Sequence, residues 1–127
     1  MIKYSQSTGI ITLPDGTMFQ GHAGHGQGLN NPAEQSTHAI GPLPQGQYSL
    51  GPWQDGSEYS AADARLGPFV SRLTPDPDNT MFGRDGFFFH GGNNSNPPTD
   101  SDGCIVLPRV ARTAIAATQD TVLEVVE

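Results

Sequence analysis

Basic residues are scarce in this chain. Six lysines and arginines face thirteen acidic residues, for a formal net charge of −7 at neutral pH. That balance excludes a surface built for phosphate backbones, which needs clustered cations. No polybasic stretch offers itself to an anionic membrane either. Cysteine is scarcer still: the only one is Cys104, so no internal disulfide can form. No segment approaches the ~20 apolar residues of a membrane-spanning helix, so membrane insertion is not expected. Residues 1–16 hold a single lysine and no apolar run of signal-peptide length. Export, where it occurs, is therefore expected either by a route other than a conventional signal or through a leader that precedes this sequence.

Glycine and proline are plentiful, with 16 and 11 copies in 127 residues. So many turn formers argue against long helices. Apolar residues are spread along the chain, which argues against a disordered tail. The length suits one domain, 1–127. The expected fold is mostly β, with mixed sheets, one short helix and long ordered loops.

Strands are expected on both sides of the Pro14-Asp15-Gly16 turn and over Gln47–Leu50, Phe69–Thr74, Gly86–His90, Cys104–Leu107 and Val122–Val126. The run Phe87-Phe88-Phe89 predicts a strand buried on both faces. A short helical piece is expected near Ser60–Arg65. Pro108 can open a helix to about Thr118 with Ala111, Ile115 and Ala114 facing inward. Residues 22–32 carry Gly24, Gly26 and Gly28 and read as a loop, without the spacing of a phosphate cradle.

The chemistry concentrates in two short strings, His90-Gly91 and Ser101-Asp102-Gly103-Cys104, with the cysteine fourteen residues after the histidine. Adjacent strands would bring these two together at one rim of a sheet. A free thiol ionises near 8.5, and an imidazole beside it makes it a competent nucleophile. The reading is Cys104 as nucleophile and His90 as base. The Gly103 and Cys104 amides are candidate oxyanion donors. Gly91 lets the chain turn sharply after His90. Ser101, Asp102 or a backbone carbonyl near Gly91 is left to fix the imidazole tautomer.

Other chemistries have less behind them. A lone cysteine is commonly a small buried hydrophobe, but the Gly-Cys pair opening a strand near a histidine weighs against that. His22-x-x-His25 lacks a carboxylate at a metal-binding spacing, so neither metal nor cofactor is expected. His38 reads as an ordinary loop residue. No Gly-x-Ser-x-Gly elbow and no paired carboxylates are present for other hydrolases.

The His-Gly, loop, Ser-x-Gly-Cys-apolar order resembles the signature of the L,D-transpeptidase catalytic domain, a β-rich family acting on peptidoglycan stem peptides. Further strings extend the likeness over nearly the whole chain: Tyr4–Gly9, Gly24–Pro32, Gly41–Tyr48 and Phe82–Phe87. These are similar to the L,D-transpeptidase-like effectors of type VI secretion, small antibacterial toxins made without signal peptides and delivered to a competitor's periplasm. The resemblance implies an L,D-carboxypeptidase or L,D-transpeptidase. It would cut tetrapeptide stems before the terminal D-alanine or exchange that residue for another D-amino acid. It also implies a cognate immunity protein and a secretion-machine adaptor as partners. Asn30 and Asn31 are candidates for stem-amide hydrogen bonds and equally for fixing their own turn. Many family members carry Arg two residues after the cysteine and His two residues before it. Here Val106 and Asp102 stand there, and Arg84, Arg109 or Arg112 is left to supply the cation. The alternatives are a non-catalytic wall-binding module, a cysteine amidase or endopeptidase cutting a different stem bond, and a structural or adaptor part of a secretion machine.

Overall fold

The Pro14-Asp15-Gly16 turn acts locally as its residues dictate. Asp15 accepts the Thr17 amide at 2.9 Å, Leu13 N–H donates to Thr17 O at 2.8 Å, and Gly16 takes a φ of +90°. It closes a hairpin between β2 (Ile10–Thr12) and β3 (Met18–Gln20). The computed structural model describes residues 1–93 and 98–127. The remaining elements are β1 (Ile2–Ser5), β4 (Gly46–Leu50), β5 (Ser71–Pro75), β6 (Phe87–His90), β7 (Ile105–Val106), α1 (Arg109–Thr118) and β8 (Val122–Val126). The β-rich expectation holds, with short 3-10 turns between strands, one of them over Ala62–Leu66. The N-terminal region holds three strands rather than the expected two. Gly9, at φ +72°, lets the chain turn back after β1.

The eight strands form one mixed sheet in the order β3-β2-β1-β8-β4-β5-β6-β7. The β1–β8 and β6–β7 pairs are parallel and the other pairs antiparallel. The sheet curls until its two ends meet. His22, just past β3, bridges Val106 of β7 through reciprocal bonds of 3.1 and 2.8 Å. Gly21 permits this approach, because a Cβ there would run into the Val106 carbonyl and the Leu107 side chain. Ala111 and Ile115 of α1 join Ile2, Tyr4, Ile11, Leu123 and Val125 in the main core.

The β6 strand is buried at all four positions. Alternation sends Phe87 and Phe89 to the main core, whereas Phe88 joins Leu66, Val70 and Cys104 in a second cluster. Tyr59 meets Phe88 edge-on at 5.2 Å, so the chain between β4 and β5 covers this face. That covering segment carries the Ala62–Leu66 turn beside β6 and Cys104.

Candidate active site

Cys104 lies at the mouth of β7, after a turn that Ser101 organises. The Ser101 hydroxyl donates to Cys104 O at 2.6 Å and accepts from Gly24 N at 2.9 Å and Gly103 N at 3.1 Å. Arg84 fastens the same turn from the other side. Its guanidinium donates to the carbonyls of Gln35, Gly41, Pro42 and Asp102 at 2.7–3.0 Å and lies over the Phe87 ring. Leu43 N–H donates to Gly103 O at 2.9 Å. Gly103 itself sits at φ +135°, where a side chain would strike Arg84 and Phe87.

The histidine is set by its strand. In the β6–β7 register Phe89 faces Ile105 and His90 faces Val106. Continued one residue back, this brings Cys104 opposite Phe88. Bridged partners share a face and alternate residues share a face, so His90 and Cys104 lie on the same side of the sheet, one diagonal step apart. The pairing is parallel, so the strand ends do not meet head-on as a hairpin would make them.

His90 Nδ1 lies 2.7 Å from Gly91 O. A carbonyl can only accept, so Nδ1 carries the hydrogen and Nε2 keeps the lone pair. Of the groups considered for fixing the imidazole tautomer, the one bonded to His90 Nδ1 is the Gly91 carbonyl. The hydroxyl of Ser101, expected in the catalytic set, is bonded within the turn that precedes Cys104. Burial pushes the His90 pKa below the usual histidine value. Gly91 O and Asp100 oppose that shift, and the Arg65 and Arg112 charges add to it. Burial also pushes the Cys104 thiol up to about 11. A backbone hydrogen bond from Phe88 and the Arg65 charge act against it, while Asp102 and Asp63 reinforce it. Cys104 Sγ is 3.8 Å from Gly86 O, which accepts the thiol hydrogen. The resting pair is thus a neutral thiol and a neutral imidazole.

Both residues border one cleft of about 440 Å³, together with Asp63, Arg65, Asp85 and Asp102. A second depression of about 500 Å³ shares Arg65, His90 and Asp100 with it and continues past Gly91 and Arg112. Asp100 is half-buried against the sheet end. It bonds His22 Nε2 at 2.6 Å and accepts the Asn93 amide at 2.9 Å. His25 Nδ1 donates to Ser101 O at 2.8 Å, with Asp102 at 3.6 Å.

Several expected roles change in this geometry. The Gly103 amide is engaged by Ser101 Oγ, which leaves Cys104 N–H as the amide beside the thiol. Arg84 borders the cleft, yet its donors are taken by carbonyls, so it braces the site rather than reaching into it. Arg112 is likewise engaged, with Leu107, Pro68 and Phe69 carbonyls. Asn30 accepts from Ala23 N, and Asn31 accepts from Ala33 N while donating to Gln27 O, so both fix their own loop. Neither borders the cleft. Asp102 does border it, with its carboxylate exposed. Gly91 allows Arg112 to pack closely behind His90. Among the described residues no three His, Cys, Asp or Glu side chains converge on a metal position.

Sequence reasoning overlooked Asp63, Arg65 and Asp100. Asp100 stands one residue before Ser101, and its carboxylate meets His22 from the other end of the chain; no spacing rule announces that pairing. Nor does any motif mark Arg65.

No curated protein matches the chain. The Tlde1 domain family model matches residues 17–126, a span that includes β3, the glycine loop, both site strands and α1. The chain belongs to the Tlde1 domain family, a family of type VI secretion effectors.

Proposed function

We propose that this protein is a cysteine L,D-carboxypeptidase/L,D-transpeptidase acting on peptidoglycan tetrapeptide stems, delivered to the periplasm of a target bacterium. The observation that carries this reading is the shared face of His90 and Cys104 on the paired strands β6 and β7, opening on one cleft. The family match and the order of His-Gly before Ser-x-Gly-Cys support it.

With both groups neutral at rest, proton transfer accompanies attack. The Cys104 proton passes to His90 Nε2 as sulfur bonds to the carbonyl carbon of the third stem residue. Cys104 N–H faces the developing oxyanion. The C–N bond to D-alanine then breaks, and the proton on His90 leaves with the departing amine. The thioester passes to water, giving the tripeptide, or to the amine of a D-amino acid, giving the exchanged stem. Gly91 O stabilises the transient imidazolium, and burial of the ring makes that cation short-lived.

The test uses a disaccharide-tetrapeptide, with and without D-methionine, and product masses. Loss of alanine, or its replacement by methionine, is expected from the native protein and not from Cys104→Ala. A fully active Cys104→Ala protein sinks the mechanism. Release of a fragment larger than alanine moves the reading to an amidase or endopeptidase.

A further inference from the structure

The chain has six basic side chains, and five of them are occupied. Lys3 pairs with Glu124 at 3.8 Å, Arg72 lies over Phe88, and Arg109 lies over Phe69. Arg84 and Arg112 direct their guanidinium groups at backbone carbonyls. Arg65 differs. Among the described residues it has no hydrogen bond, ion pair or ring contact, and it is exposed at the edge of both depressions that meet at His90.

The chemistry of the proposed reaction assigns the two sides of Cys104. The departing amine takes its proton from His90, so the leaving residue lies on the His90 side. The charged groups lining the depression that includes His90 but not Cys104 are Arg65, Arg112 and Asp100. Arg112 is already engaged by carbonyls, and the Asp100 carboxylate is taken up by His22 and the Asn93 amide, which leaves Arg65 as the charge open to a ligand. On the Cys104 side the exposed carboxylates of Asp85 and Asp102 repel an anion. A C-terminal residue carries its carboxylate carbon only three bonds from the carbon under attack.

We propose that Arg65 is a specificity-determining residue that receives the free carboxylate of the leaving residue on the His90 side of Cys104. The enzyme is thereby confined to the last residue of a peptide and does not cut within one. This rests on the peptidase reading above. A guanidinium suits the task because its fork matches a carboxylate, and the exposed position keeps the gain modest.

The experiment compares a tetrapeptide stem ending in a free carboxylate with the same stem ending in a carboxamide. Turnover is measured with the native protein, Arg65→Gln and Arg65→Lys. Binding of both peptides is titrated with Cys104→Ala and with Cys104→Ala/Arg65→Gln. The native protein is expected to favour the acid about tenfold in kcat/KM, Arg65→Gln to lose that preference, and Arg65→Lys to keep part of it. An acid preference that survives in Arg65→Gln overturns the assignment. If neither peptide is turned over by the native protein, the peptidase reading fails, and the titrations still decide Arg65. An acid preference in binding that Arg65→Gln erases upholds it, and equal or absent binding of the two peptides overturns it.

Discussion

His90 and Cys104 lie one diagonal step apart on the same face of the parallel β6–β7 pair, because His90 is opposite Val106 and the cysteine precedes Ile105. Burial works on them in opposite senses. It lowers the affinity of the imidazole for a proton and raises that of the thiol, so the proton rests on sulfur.

Alkylation kinetics test this directly. With the thiol near 11, its reaction with iodoacetamide is expected to climb about tenfold per pH unit from neutrality upward. A preformed thiolate–imidazolium pair would instead give a rate that levels off near or below neutral pH. The activity profile follows a different group. In the proposed mechanism only neutral His90 accepts the thiol proton, so kcat/KM is expected to rise as pH passes upward through a value below the ordinary 6.5 of histidine and then to stay level.

Ser101→Ala removes one hydroxyl that serves Gly24 N, Gly103 N and Cys104 O, all in a buried turn. The expected loss is about 2–3 kcal/mol of stability, read from urea unfolding. Under the proposed mechanism turnover falls as well, but the acid limb of the pH profile keeps its position, because Ser101 there positions Cys104 and takes no part in proton transfer. A displaced limb would return Ser101 to the catalytic set.

Gly103→Ala is expected to be far more damaging than Gly16→Ala. Both glycines have positive φ, yet a Cβ at Gly16 meets nothing within 4 Å, whereas one at Gly103 falls 2.6 Å from Arg84 Nη2 and 2.7 Å from Phe87. Arg84 is held by four carbonyls and cannot yield. Roughly 1 kcal/mol is expected at Gly16 from backbone conformation alone. At Gly103 the loss is about 3 kcal/mol or more, with loss of turnover. Comparable unfolding midpoints for the two variants would contradict the packing described around Gly103.

Asp100 links stability to acid. Burial alone would raise its pKa, but bonds from His22 and the Asn93 amide outweigh that and hold it below the usual value. A depressed folded pKa gives stability that is present above the unfolded value of about 3.9 and is lost as pH falls through the folded one. Asp100→Asn is therefore expected to flatten the acid limb of a plot of urea midpoint against pH between about 5 and 2.5. An unchanged limb would show that the His22–Asp100 contact does not survive in solution.

Much of this fold can be read from the chain because its signals are local. Pro108 opens α1, Ala111 and Ile115 mark its inner face, and Phe87–Phe89 announces a strand buried on both sides. The nearness of His90 and Cys104 is legible for the same reason, since each ends or begins an apolar run. The other site features depend on contacts distant in sequence. His22 and His25 look idle in a glycine loop, yet they meet Asp100 and Ser101 across 78 and 76 residues. Asn30 and Asn31 suit a ligand or their own turn equally well as letters, and the fold shows nearby amides bonded to them. Arg65 and Arg84 are indistinguishable as letters. Only the fold reveals that one is buried among carbonyls and the other stands exposed at the cleft edge.

The meeting of the sheet's ends at His22 and Val106 has a consequence for Cys104. With two residues, β7 is too short to hold its place by pairing with β6 alone. Its second edge is taken by a segment that follows the first hairpin, so the N-terminal strands act as a clasp on the far side of Cys104. A chain that lost them would bare an adhesive strand edge beside the Cys104 sulfur. The earliest residues of the sequence thus guard the chemistry encoded near its end.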